Sequence, residues 1–432
     1  MRRMSTDLVD RSKGVLLGLM FGDALGAPFE GWPPSEIRSY ALKELKSPSG
    51  LVNKFVEAVH MGTFVAGPEP GTYELAVGEV NLIAHVAKTQ AEFFSSGDLQ
   101  RGYPGTAQKG LRLIMEGVSY KETGEPPHFP FAGGSFANGG AMRISPLAVA
   151  FRESTAEVLR MAVEEAIRSS HRHPEAIDGA AAQARAVQFL LSSIPICSFG
   201  RPESDTLPGS EGGSRTETGE GRQGDSTPSS SALLQTGDFF GALRAVCRTD
   251  AYLSMLTALE ERLKFFSHCN SQPEGDSHEK DEEREREEDA SGPSVSGSEE
   301  DERELRSILK EYKRPGSGMG FQIASVHASA CVFWIFWRYG RRRVRAMEAV
   351  QQAVGLGGDS DTVASMVGAL VGALHGWAWI DTVLDGSTRR DGSGETLLSQ
   401  LENGKRGRDY VTQLAFKLLQ LSLDTVEELE KS

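Results

Sequence analysis

The chain has 432 residues and a formal net charge of −14, with Lys+Arg 46 against Asp+Glu 60. Its hydrophobic share of 39%, together with 48 Gly, is ordinary for a globular protein that buries a sizeable core. The acidic balance excludes a general nucleic-acid binder, because phosphate contacts need clustered Lys and Arg. The four Cys form no C-x-x-C pair, which argues against a structural zinc site and predicts an intracellular protein, cytoplasmic or nuclear.

Hydrophobic periodicity predicts a mainly α-helical fold, and no alternating strand pattern stands out. The predicted helices lie at 74–93, 154–168, 231–268, 321–338, 344–354, 362–378 and 409–422. The second of them opens on Ser154-x-x-Glu157, a capping-box pattern. The uncharged run at 362–380 is long enough to be a membrane-span candidate. Because it contains His375 and is rich in Gly and Ala, we expect a buried core helix and no membrane partner.

Two stretches lack the apolar side chains that offset the entropy of ordering a chain, so we predict disordered loops there. Residues 199–231 are mostly Gly, Ser, Thr, Pro and charged residues, and residues 271–304 hold most of the excess acid. We therefore expect a single domain with its core at about 12–198, 232–268 and 305–425.

Glycine recurs every four residues in two segments that we expect to be helical. These positions are Gly18, Gly22 and Gly26, and then Gly368, Gly372 and Gly376. This spacing places the glycines on one helix face, where two backbones can approach closely. Since Gly inside a helix costs about 1 kcal/mol relative to Ala, close helix packing is the expected reason for the pattern.

The segment 356–362 places Asp359 and Asp361 two residues apart, directly after two glycines. Alternate residues of an extended turn can direct both carboxylates to the same side, which makes an oxygen-only site suited to Mg²⁺ or Ca²⁺. The alternative is helix capping, because an Asp or Ser ahead of a helix satisfies its free N–H groups. The sequence leaves both interpretations open.

Residues 133–143 (GGSFANGGAMR) form a glycine-rich loop ahead of a predicted helix, which is typical of an anion site built from backbone N–H groups.

Asp23 lies within an apolar helix and needs a partner. Glu30 follows Pro28 at a loop edge, where it is either a catalytic carboxylate or a surface acid. His171 and His173 have no Cys or third His nearby, so a hydrogen-bonding role is favoured over metal binding.

Together these motifs resemble the ADP-ribosylglycohydrolase (ADP-ribosyl-acceptor hydrolase) family. The matching segments, in the family's order, are 18–30, 101–103, 133–146, 171–180 and 356–376. The resemblance covers most of the chain outside the two predicted loops. It implies an all-α orthogonal helical bundle with a binuclear Mg²⁺ site at the mouth of an ADP-ribose cleft. Segments 102–103 and 133–140 look most like the branch that acts on serine-linked ADP-ribose and poly(ADP-ribose).

The resemblance also implies roles for individual residues. Asp359, Asp361 and Thr362 match half of the family's metal ligands, Glu30 matches its catalytic carboxylate, and His171 matches a histidine that contacts ADP-ribose. The loop that binds the diphosphate matches Gly134, Ser135, Phe136, Ala137 and Asn138. The implied partners are ADP-ribose, ADP-ribosylated proteins or poly(ADP-ribose), with no sequence-specific nucleic acid, and we expect a monomer.

One departure from the family pattern bears on activity. The family carries a Thr-Asp-Asp-Thr run that supplies the other metal ligands, and here that run is absent between Tyr73 and Glu74 although its flanks match. Two hard cations need several carboxylates, so we expect that only one of the two Mg²⁺ sites remains. The expected activity is Mg²⁺-dependent release of ADP-ribose by cleavage of the C1″ glycosidic bond. The alternatives are an incomplete gene model or splice form, or a catalytically impaired ADP-ribose-binding protein.

Overall fold

The computed structural model describes residues 5–56, 91–92, 105–131, 133–193, 234–269, 296–312, 323–380, 396–401, 403 and 407–431. Its helices are α1 (Thr6–Gly26), α2 (Pro34–Lys43), α3 (Gly105–Met115), α4 (Gly139–Met142), α5 (Ser145–Ala150), α6 (Ala156–Ile167), α7 (Pro174–Ser192), α8 (Thr236–Arg244), α9 (Asp250–Cys269), α10 (Ser296–Leu309), α11 (Ser325–Ile335), α12 (Ala346–Gly355), α13 (Ser360–His375), α14 (Leu397–Gln400) and α15 (Arg408–Lys431). A π-helical turn, Phe336–Gly340, continues α11. The all-α fold is therefore confirmed, and these residues contain no strand beyond one isolated bridge.

Helices α1 and α13 are antiparallel and pack through the two glycine stripes. A Cβ atom built on Gly18 would lie 2.1 Å from the carbonyl oxygen of Gly368, and one on Gly372 would lie 1.9 Å from that of Gly14. Real Cβ atoms do not approach other atoms this closely, so only glycine fits at these contacts. The predicted reason for the stripes is confirmed, and the pairing brings the end of α1 beside the start of α13.

The core surrounds these two helices. Every residue of α11 is buried, and so is nearly all of α13, including His375. In the part of the chain that the structure describes, no helix is both long and apolar enough to cross a membrane. The run at 362–380 is instead a core helix and the turn after it, as its Gly and Ala content indicates.

The predicted disorder of 271–304 is wrong for its last residues, because α10 begins at Ser296. Asp301 is fully buried and accepts hydrogen bonds from Trp334 Nε1 at 2.8 Å and from the Tyr339 hydroxyl, and it lies 3.1 Å from Arg338 Nε. These polar partners hold the acidic first half of the helix, whereas Leu305, Ile308 and Leu309 bury its second half in the core. The core therefore resumes at 296 and not at 305. Residues 270–295 lie outside the described part of the chain.

The predicted helix at 231–268 is two helices, α8 and α9, and Asp178 explains the break. Its Oδ2 accepts from Arg248 N–H at 3.0 Å and from Thr249 N–H at 2.7 Å, so a carboxylate from α7 fixes the turn that leads into α9. The Thr249 hydroxyl accepts from Tyr252 N–H at 3.4 Å and is the side-chain cap of the helix. Its Oδ1 lies 2.8 Å from Arg160 Nη1, and both side chains are buried.

Smaller differences concern helix ends. The N-cap of α6 is Thr155, whose hydroxyl accepts from Val158 N–H, while the Ser154 hydroxyl donates back to Phe151 O. Ser154 is therefore not the capping residue. Most of the predicted helix at 74–93 and the whole loop at 199–231 fall outside the described residues.

Candidate functional site

Two loops far apart in sequence are joined here through their main chains. After α1 the chain forms the entrance loop (residues 27–33), which carries Glu30. Around the start of α13 it forms the carboxylate turn (residues 356–361), whose last two residues are the first two of that helix. Gly31 N–H donates to Gly358 O at 2.8 Å, and Gly358 N–H donates to Trp32 O at 3.0 Å. These reciprocal bonds fix the entrance loop against the carboxylate turn.

Glycine is required in the carboxylate turn for two physical reasons. Gly357 and Gly358 have φ of +68° and +67°, a region that residues with a side chain rarely adopt. In addition, a Cβ on Gly357 would lie 2.3 Å from Trp32 O. The two glycines therefore allow the turn to reach the entrance loop.

Three carboxylates converge where these loops meet. Oxygens of Glu30, Asp359 and Asp361 lie within 4.8 Å of one another, with Glu30 exposed and the two aspartates half-buried. Burial and the charge of Asp359 raise the pKa of Glu30, and the same causes raise the pKa of Asp361 well above its usual range. The three carboxylates repel one another, and a cation bound between them would relieve this repulsion. Because carboxylate oxygens suit a hard divalent cation, the group can hold a metal ion.

The capping interpretation of the carboxylate turn is only partly supported. Asp359 occupies the N-cap position of α13, but its side chain makes no capping hydrogen bond. Asp361 Oδ1 accepts from Thr362 N–H at 2.7 Å, and the Ser360 hydroxyl donates to Gly26 O at 3.0 Å. The Thr362 hydroxyl donates to Met142 Sδ at 3.6 Å, beside the carboxylates. The side chain of Asp359 is thus directed to the site and not to the helix end.

A fourth carboxylate, Asp23, adjoins this group. Burial, followed by the charges of Glu30 and Asp359, raises the pKa of Asp23 well above its usual range. Its Oδ2 is buried and has no hydrogen-bond partner among the residues described. The sequence signals that Asp23 needs a partner, but its place beside the site depends on the α1–α13 packing, which no local pattern reveals.

The glycine-rich loop (residues 133–138) lies on the other side of the carboxylates. Asn138 N–H donates to Ile323 O at 2.8 Å, and Ser325 N–H donates to Phe136 O at 3.0 Å, so the start of α11 holds the loop in place. Ala137 N–H donates to the Ser135 hydroxyl at 3.2 Å. The N–H groups of Ala137 and Asn138 are therefore occupied in this conformation, which limits the anion contacts that the sequence predicts for them.

Asn138 connects the glycine-rich loop to the carboxylates. Its Nδ2 donates to Asp359 Oδ2 at 2.6 Å, and the side chain is buried. Phe136 is partly buried and packs edge-on against His173, with ring centroids 6.1 Å apart. The structure thus brings together the residues that the sequence proposes for diphosphate binding and for metal binding.

His171 lies behind the glycine-rich loop. Its Nδ1 is 2.8 Å from Ser170 Oγ, and burial, followed by the nearby charge of Arg143, lowers its pKa well below the usual value. His171 is therefore neutral at physiological pH. A Cβ on Gly139 would lie 2.8 Å from His171 Nε2, so this nitrogen faces the residue that follows the loop.

The residues that flank the missing metal-ligand run, Tyr73 and Glu74, lie outside the described part of the chain, as does segment 101–103.

The fold and the convergence of the motifs agree with the comparisons to known proteins. The family model for ADP-ribosylglycohydrolase matches residues 4–424, and the chain belongs to this family. A curated relative, ADP-ribosylhydrolase ARH3 of Danio rerio, is 30% identical over 190 residues, which span 43% of this chain and 48% of the relative. A solved structure titled "ADP-ribosylglycohydrolase-related protein complex" aligns over 97% of this chain and 100% of its own, with a TM-score of 0.44 and 18% identity. The resemblance found in the sequence is confirmed.

Proposed function

We propose that the protein is a Mg²⁺-dependent hydrolase that releases ADP-ribose from modified proteins or from poly(ADP-ribose) by cleaving the C1″ glycosidic bond. Membership of the family supports hydrolysis of ADP-ribosyl linkages in general. The observation that carries the proposal is the bond from Asn138 to Asp359, which connects the proposed diphosphate loop to the carboxylate group. A nucleotide held by the loop would therefore have its ribose beside the carboxylates.

The donors present fit a divalent cation. Asp359, Asp361 and Glu30 supply carboxylate oxygens within 4.8 Å of one another, and Thr362 supplies a hydroxyl beside them. Oxygen ligands with excess negative charge suit Mg²⁺, and we propose Asp359, Asp361 and Thr362 as its ligands. When bound, the ion would supply positive charge for orienting ribose hydroxyls.

We propose that Glu30 is the catalytic carboxylate. It is the most exposed member of the group and lies on a loop that is clamped to the carboxylate turn. A carboxylate whose pKa is raised above its usual value holds its proton to higher pH, which favours proton exchange with a leaving group or an attacking water. His171 and the glycine-rich loop would hold the substrate in place, and placement is a large part of the catalytic requirement.

The test is release of ADP-ribose by the purified chain, with excess Mg²⁺, from serine-linked, arginine-linked and polymer substrates. We expect turnover on at least one substrate, loss of turnover in Glu30→Gln, and retained ADP-ribose binding in that variant. Absence of release from all three substrates by the unchanged chain would refute the proposal for this sequence.

A second candidate function follows from the missing Thr-Asp-Asp-Thr run between Tyr73 and Glu74. Without these ligands we propose, as the alternative, a catalytically impaired protein that still binds ADP-ribose. It predicts calorimetric binding of ADP-ribose that EDTA barely changes and no turnover. Insertion of Thr-Asp-Asp-Thr after Tyr73 should then restore turnover, whereas a chain that binds no ADP-ribose contradicts both candidates.

A further inference from the structure

Ser170 lies between a guanidinium and an imidazole. Arg143 Nη2 donates to the Ser170 hydroxyl, and Arg143 Nη1 donates to Gly139 O at 2.6 Å. The same hydroxyl oxygen is 2.8 Å from His171 Nδ1. These contacts form a continuous chain of polar groups from Arg143 to His171, next to the glycine-rich loop.

The direction of the hydrogen bond between the Ser170 hydroxyl and His171 Nδ1 follows from counting the acceptors around that hydroxyl. Ile167 O already accepts from Ser170 N–H at 3.0 Å and from His171 N–H at 2.8 Å. A carbonyl oxygen has two lone pairs, so the Ser170 hydroxyl, 3.2 Å from the same oxygen, has its better acceptor at His171 Nδ1. A guanidinium cannot accept a proton, so Arg143 can only donate to Ser170 Oγ.

We propose that Arg143 and Ser170 are positioning residues that hold His171 in the tautomer protonated on Nε2. The hydroxyl donates to Nδ1, so the single proton of the neutral ring resides on Nε2. That nitrogen faces Gly139, and His171 thereby presents a fixed N–H donor beside the glycine-rich loop. The acceptor it suits is an oxygen of a bound phosphate or sugar, and this part of the inference rests on the proposed function.

A merely structural role for Ser170 predicts something different. In that case its hydroxyl only fastens the turn after α6, and its loss changes stability without changing the ring's protonated nitrogen. The tautomer is therefore the decisive readout, because it depends on the partner of Nδ1 and not on how tightly the turn packs.

The experiment is ¹⁵N NMR of the full chain labelled at histidine, with long-range proton–nitrogen correlations at pH 7. His171→Gln identifies the resonances of His171 among the 9 histidines. We expect protonated Nε2 and unprotonated Nδ1 in the unchanged chain, a mixed or reversed tautomer in Ser170→Ala, and recovery in Ser170→Thr. Ser192→Ala is the matched control, since that hydroxyl donates to Gln188 O at the far end of α7.

ADP-ribose binding is measured on the same proteins. We expect Ser170→Ala to weaken binding about tenfold, which corresponds to one well-placed hydrogen bond, and Ser170→Thr to restore it. Arg143→Gln should shift the tautomer in the same direction by a smaller amount. Thermal unfolding confirms that each variant is folded.

The outcomes separate this inference from the proposed function. A His171 protonated on Nδ1 in the unchanged chain, or a tautomer that Ser170→Ala leaves as it was, overturns the inference. If the unchanged chain does not bind ADP-ribose, the proposed function fails, and the tautomer alone decides whether Ser170 positions the ring.

Discussion

Replacing Gly368 by Ala tests whether the α1–α13 contact sets the geometry of the site. The new Cβ would lie 2.1 Å from Gly18 O and 2.7 Å from Gly18 C, about 1 Å short of ordinary contact. Both atoms belong to the backbone of a buried helix, so one helix must move away from the other. Gly368 lies two turns after Asp361, roughly 10 Å along α13, so this movement reaches the carboxylates.

Two opposing contributions decide the magnitude. Ala favours the helix by about 1 kcal/mol over Gly. Overpacking a tight core costs about 1–3 kcal/mol and sometimes more, and a backbone obstacle places this site at the upper end. We expect a net loss of about 2 kcal/mol in the free energy of unfolding, which for a chain of this size corresponds to a fall in Tm of about 2–3 °C.

The matched control is Gly241→Ala in α8, where a Cβ meets nothing within 4 Å. The same substitution should there stabilise the protein by about 0.5–1 kcal/mol. The assays are thermal unfolding and Mg²⁺-dependent release of ADP-ribose, and we expect Gly368→Ala to lower both while Gly241→Ala preserves activity. A Gly368→Ala protein as stable as the unchanged chain, or a Gly241→Ala protein that loses as much, would refute the reasoning.

Three further predictions concern buried carboxylates. The pKa of Asp361 is raised in the folded protein, so its ionised form destabilises the metal-free protein increasingly as pH rises above about 4. Asp361→Asn should therefore raise the Tm of the metal-free protein at pH 7 and abolish the increase in Tm that Mg²⁺ causes. An unchanged Mg²⁺ effect on Tm would contradict this. Asp178→Ala leaves the guanidinium of Arg160 buried without its carboxylate and should cost about 3–5 kcal/mol in urea unfolding. A loss below about 1 kcal/mol would contradict this role of the buried pair. Asp301→Ala should cost about 3 kcal/mol or more and change the fluorescence of Trp334, whereas a disordered 296–304 segment would produce neither effect.

Local patterns were sufficient to predict much of this molecule. The all-α class follows from hydrophobic periodicity, and the role of the glycine stripes follows from their four-residue spacing, because both signals lie within one element. The glycine-rich loop and the carboxylate turn are also visible locally. Their meeting through Asn138 and Asp359, 221 residues apart, is implied only by the family resemblance.

Features that depend on distant partners could not be predicted. The sequence around Asp301 is acidic and polar, and it is the side chains of Trp334, Arg338 and Tyr339, more than 30 residues away, that make its burial favourable. Thr249 is a local N-cap signal for α9, but the carboxylate that fixes the turn before it, Asp178, lies some 70 residues earlier and has no local signal. Ser154 and Thr155 are adjacent capping candidates, and the choice between them depends on backbone geometry that spacing does not specify.

The clamp between Gly31, Trp32 and Gly358 has a consequence for how such a chain can diverge in evolution. Its two hydrogen bonds join main-chain atoms, so most substitutions at Trp32 or its neighbours leave the donors and acceptors unchanged. What must persist is the backbone conformation, and hence the glycines at 31, 357 and 358, all of which have positive φ. The clamp constrains the main chain, while the side chain of Trp32 is constrained separately by its edge-on packing against Phe29 and Tyr40. The spacing between Glu30 and Asp359 is therefore inherited with the path of the chain.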